Sequence, residues 1–98
     1  MGRLAGGEIM PQALINYLGY AVYFWISEED EPIHVHVSKH PQKNATKFWI
    51  TGDSVELAKD TGSVEEKDMG KILRYLRSNR EKIISTWMSW FQHAEVKR

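Results

Sequence analysis

The apolar and polar positions of this chain change their period once, just past its middle. From Leu14 to Ile26 the run LINYLGYAVYFWI is dense in Tyr, Val, Ile, Phe and Trp, residues that favour extended backbone. Gly19 marks a bend inside it, which places a first strand at about Tyr20–Ser27. Glu28, Glu29, Asp30 and Glu31 follow, then Pro32; four acids ahead of a proline read as a solvated turn. Ile33–Ser38 alternates strictly and predicts a second strand paired with the first. His40-Pro41 and Lys43-Asn44 make the next turn, Thr46–Thr51 a third strand, Gly52-Asp53 another turn, and Ser54–Ala58 a short fourth strand.

Beyond Ser63 the period becomes helical. Ser63-Val64-Glu65-Glu66 has the form of a capping box, with Ser63 as the N-cap and Glu66 reaching back. Met69, Ile72, Leu73, Leu76, Ile83, Ile84, Trp87 and Phe91 then form one apolar stripe. It fits one helix to about His93, or two with a break near Ser78-Asn79, where both side chains compete for backbone hydrogen bonds. Strands first and helix after predict an α+β fold. The expected architecture is a small antiparallel sheet of three or four strands packed against a C-terminal helix or helix pair. Residues 1–9, with three glycines and no periodicity, read as a disordered leader; residues 10–98 read as a single domain.

Composition narrows the class without naming a function. The 98 residues are 42% hydrophobic and 27% charged, ordinary values for one globular domain. There is no cysteine, which excludes disulfide scaffolds, thiolate-bound zinc and thiol nucleophiles. No apolar run approaches the roughly 20 residues of a membrane span, so a cytoplasmic protein without a membrane partner is expected. Thirteen basic and thirteen acidic side chains cancel, yet unevenly. Residues 1–63 hold five basic and eight acidic groups, and residues 64–98 hold eight and five, so an acidic half precedes a basic one.

The residues with most chemical promise are His34 and His36. Two apart on a strand, they project from one face while Val35 and Val37 take the other. Paired imidazoles are half of a zinc-type site. His40 could curl back as a third ligand, and Glu31 could supply a carboxylate, giving a set suited to zinc or iron. The same pair also fits a purely structural role beside Tyr23 or Trp25, or a metal-free acid–base role. Lys67, Lys71, Arg74 and Arg77 line the helix face away from the apolar stripe, where they could meet phosphates or an acidic partner, or simply water. Trp90 falls off the stripe and is expected at an exposed interface.

These segments together are familiar. GYAVYFW, the acidic turn, EPIHVHV, NATKFWI, VELA and a helical end NREKIISTWMSWF resemble a small bacterial family catalogued as Domain of Unknown Function 4160. The resemblance runs from about Met10 to Gln92. Its core is Glu or Asn, then Pro, Pro or Ile, and His-x-His-Val, matched by Glu31, Pro32, Ile33, His34, Val35, His36 and Val37. Members typically begin Met-Pro, as Met10-Pro11 does here. His40 is not a regular part of the pattern. The resemblance implies genes that sit beside a second small gene, in pairs that look like toxin–antitoxin modules.

The leading expectation is therefore a binding or regulatory domain for a protein partner or a second copy of itself. It would present Glu31, His34 and His36 at one corner and Lys71 and Arg74 on the helix. The alternatives are a metal-dependent hydrolase or nuclease built on the histidines, and nucleic-acid binding through the helix cations.

Overall fold

The computed structural model describes residues 9–93 and 95–97; residues 1–8 of the expected leader lie outside the described residues. Five strands run in chain order across one antiparallel sheet: β1 Gln12–Tyr17, β2 Tyr20–Tyr23, β3 His34–Ser38, β4 Thr46–Ile50 and β5 Val55–Lys59. Helices α1, Glu66–Ser78, and α2, Arg80–Trp90, follow. The α+β meander is as expected, with one more strand than the three or four anticipated.

The extra strand is β1, and the reason it escapes the sequence is its turn. Leu18 and Gly19 join β1 to β2 with φ of 54° and 82°. Two successive left-handed residues make the turn that matches strand twist, but its usual signature is Asn-Gly or Asp-Gly, and leucine masks it. The strand expected to run to Ser27 also stops early, at Tyr23, because Ile26–Glu28 winds into a single 3-10 turn.

The capping box does not form. The N-cap of α1 is Glu65, and no side chain caps it. Ser63 is engaged elsewhere: its hydroxyl accepts the Thr46 amide at 2.8 Å and donates to the Val37 carbonyl at 2.7 Å, tying the sheet together. The helix start is held instead from β2, where the Tyr20 hydroxyl accepts the Glu65 amide at 3.1 Å and donates to Asp68 at 2.7 Å. Burial, opposed by the Glu65 amide and reinforced by Asp68, pushes the Tyr20 phenol above its ordinary pKa. Of the two arrangements the stripe allowed, the chain takes the broken one: Asn79 separates the helices, its side-chain amide donating to the Tyr75 carbonyl at 2.9 Å.

The core is the apolar face of the sheet against the helical stripe. Val22, Val35, Val37, Phe48 and Ile50 pack with Ile72, Leu76, Ile83 and Trp87, and all nine are fully buried. The chain then returns to the sheet. The Ile33 amide donates to the Glu95 carbonyl at 2.9 Å and the Lys97 amide to the Ile50 carbonyl at 2.9 Å. This C-terminal segment closes the end of the sheet beside His34. Among the described residues, no helix is long and apolar enough to cross a membrane.

Candidate functional site

Alternation along β3 places His34 and His36 on the face away from Val35 and Val37. In the neighbouring strands His36 is paired with Tyr23 and Lys47, and His34 with Trp49. This face is polar in sequence but not exposed: His34 is 0% and His36 4% accessible. Something must therefore satisfy four ring nitrogens.

Glu28 supplies half of the answer. The 3-10 turn brings its Oε1 to 2.7 Å from Nε2 of His34 and 2.8 Å from Nε2 of His36. Backbone carbonyls supply the rest. Nδ1 of His34 lies 2.9 Å from the Pro32 oxygen, and Nδ1 of His36 lies 3.4 Å from the Ala45 oxygen. Burial by itself would raise the Glu28 carboxyl, but the two histidine contacts outweigh it and hold that group well below the usual carboxylate range.

The turn is itself anchored. The Glu28 amide donates to the Trp25 carbonyl at 3.0 Å and the Glu31 amide to the Glu28 carbonyl at 3.1 Å. His93, from the C-terminal segment, bonds the Glu29 carbonyl through Nε2 at 2.8 Å. The Trp87 ring packs against both His34 and His93, with centroids 5.3 and 5.9 Å away.

The residues singled out in the sequence are distributed unevenly around this cluster. His34 and His36 sit at its centre. Glu31, the carboxylate expected there, is displaced to its margin: it forms an ion pair with Lys47, and its Oε1 lies 3.9 Å from Nδ1 of His34. Glu28 takes its place. His40 is exposed in the turn after β3, where its carbonyl accepts the Ser38 hydroxyl at 2.6 Å; its ring is not in the cluster. Lys71 and Arg74 are exposed on α1, on a separate element. Two other cations of the helices have structural work. Arg77 donates to the Val55 carbonyl at 3.0 Å, and Nη2 of Arg80 donates to those of Thr51 and Gly52 at 2.6 and 2.8 Å.

Sequence reasoning missed Glu28 because its separation from the histidines, six and eight residues, matches no local period. A second feature also appears only here. The Trp49 ring has Lys47 and Lys97 over it at 4.3 and 5.2 Å, a cationic rim beside the buried histidines.

Comparison with known proteins places the chain without assigning it chemistry. The sequence profile described as domain of unknown function, DUF4160, matches residues 19–88. No curated protein and no solved structure matches the chain.

Proposed function

The chain belongs to the DUF4160 family, and from that premise we propose that it is a small binding or regulatory domain acting through a protein partner, as one half of a two-gene, toxin–antitoxin-like module. The observation that carries this reading is the apolar surface where β1 meets α2. Ile15 is 75% exposed on the terminal strand of the sheet, and Met88 and Trp90 are 50% and 49% exposed on α2. Gln12, Ala13, Leu14 and Ile15 share a shallow hollow of about 250 Å³ with Lys82 and Thr86. Trp90 follows Thr86 by one helical turn and so continues that wall. Exposed apolar side chains beside polar Gln12, Lys82 and Thr86 suit a protein interface, and tryptophan is a common anchor in one.

This surface replaces the corner of Glu31, His34 and His36 as the element offered to a partner, since both histidines are inaccessible. Their burial also weighs against a hydrolase or nuclease, which needs an open cleft at its reacting groups. Nucleic-acid binding has less support than the sequence offered it, because Arg77 and Arg80 are spent on backbone carbonyls.

The test is co-expression with the product of the adjoining gene, followed by light scattering. A stable complex is expected, lost on Ile15→Asp with Trp90→Ala while the thermal melt of the lone domain is unchanged. A complex indifferent to both substitutions would move the interface elsewhere. No complex, combined with retained nucleic acid and a log–log salt slope near about −3 to −4, would favour the nucleic-acid reading.

A further inference from the structure

We infer that Glu28, His34 and His36 form a binding site for one divalent transition-metal ion of the zinc type, which pins the acidic turn to β3. The inference is independent of the partner surface and rests on a count of donors and acceptors. The Pro32 oxygen is a carbonyl and can only accept, so Nδ1 of His34, 2.9 Å away, carries a proton; the Ala45 oxygen, 3.4 Å from Nδ1 of His36, favours the same tautomer there. Each Nε2 then presents a lone pair toward Oε1 of Glu28, which is also an acceptor. Three acceptors cannot meet without something positive between them. Either protons bridge these contacts, on the rings or on the carboxyl, or a cation sits among the three atoms.

The surroundings favour the cation. Two imidazolium rings would stand 5.2 Å apart with almost no water to separate their charges, and like charges in a buried site oppose one another. One divalent ion carries the same charge as those two protons. The balance with Glu28, Glu31 and Lys47 is therefore the same in either case, and the ion removes the ring–ring repulsion. A backbone carbonyl on the Nδ1 proton is the usual way in which a ligating histidine is oriented for its metal.

The geometry is also of the right size. The three ligand atoms all lie within 4.8 Å of one another. Bonds of about 2.0–2.1 Å at tetrahedral angles hold ligand atoms about 3.3 Å apart. Glu28 must therefore retreat by about half an ångström from its present contacts. Its side chain is 27% exposed and can shift although the turn backbone is anchored, and the two ring nitrogens, within 4.8 Å of each other, close on the ion by rotation about the side-chain bonds. Glu28 is the most exposed of the three ligands, so a fourth ligand would approach from its side. Two nitrogens and one carboxylate select a borderline transition ion over Mg²⁺ or Ca²⁺, which prefer all-oxygen shells.

The experiment uses the full chain without a histidine tag, stripped with chelator and dialysed, then titrated with Zn²⁺ and, as an optical probe, Co²⁺. The melting temperature should climb with the logarithm of Zn²⁺ concentration, and Co²⁺ should develop the visible absorption of a four-coordinate site. Glu28→Gln and His36→Ala should each weaken binding by at least about 10–100-fold, the loss typical even of outer-shell partners. His40→Ala and Glu31→Gln should leave it unchanged. Nitrogen-detected NMR of the wild type should show each Nε2 without a proton once Zn²⁺ is added. Rings that keep both protons at saturating Zn²⁺ would overturn the inference. So would a wild-type melt and spectrum indifferent to stoichiometric metal, or binding abolished by His40→Ala.

Discussion

Strand β3 buries all five of its residues, but its two faces are buried for different reasons. Val35 and Val37 meet Phe48 and the helices, where removal from water stabilises the fold by about 25 cal/mol per Å² of apolar surface. His34 and His36 gain little that way. Their burial is favourable only because Glu28, Pro32 and Ala45 meet every ring nitrogen. The apolar face needs volume and tolerates a range of shapes. The polar face needs particular atoms at particular distances, and one missing partner turns it from neutral to costly. A domain of this size has little stability to spare, so a second buried face that depends on exact pairing is a place where a ligand or a proton can act on the whole fold.

Four variants test that contrast. Phe48→Ala opens a cavity in the apolar face and should cost about 3–5 kcal/mol, read from the urea midpoint. Glu28→Gln keeps the volume of the side chain but leaves the histidines without a carboxylate. In chelator-treated protein it should cost about 1–3 kcal/mol. If it cost nothing, the polar face would be merely enclosed rather than bonded.

The same substitution should change the response to acid. The Glu28 carboxyl is depressed in the folded state, so below its ordinary value of about 4.3 the unfolded chain binds the extra proton. The stabilisation is therefore complete above that value and is lost as pH falls toward the depressed one. Below about pH 4 the wild-type midpoint should decline more steeply than that of Glu28→Gln, and parallel curves would remove Glu28 as the cause.

The last two changes lie outside both faces and should be smaller. Leu18 occupies a left-handed conformation at φ 54°, which costs a residue with a Cβ about 1–2 kcal/mol. Leu18→Asn restores the favoured Asn-Gly turn and should raise the midpoint by about 1 kcal/mol. Lys71→Glu with Arg74→Glu, both exposed on α1, should leave the midpoint where it is. A large drop there would show that the helix cations contribute to the fold after all.

Much of the architecture was legible because it follows from short-range pattern. The alternation of Ile33–Ser38 and the stripe from Met69 to Phe91 each express one period, and Asn79 broke the helix where its side chain competes for the backbone. The capping box at Ser63 was a sound local reading that lost to a tertiary competitor. Its hydroxyl found the Thr46 amide and Val37 carbonyl, and Tyr20 took over the helix start. The first hairpin was hidden by a leucine at a position usually marked by Asn or Asp. Of the site, the histidine pair was legible and its burial was not, since nothing in the local pattern shows what will cover an alternating strand.

That His34 and His36 share a face follows from the alternation alone, because successive side chains of a strand point to opposite sides. Short-range pattern likewise shows an acidic turn next to them and one apolar stripe on the helices. Which of four neighbouring acids meets the rings depends on long-range packing. Glu28, Glu29, Asp30 and Glu31 are chemically alike, and local pattern cannot rank them. The choice falls to Glu28 because the 3-10 turn aims it inward, His93 returns from the far end of the chain to hold Glu29, and Lys47 draws Glu31 aside. Those contacts join residues separated by 16 to 64 positions, and they exist only once the sheet and the C-terminal segment have come together.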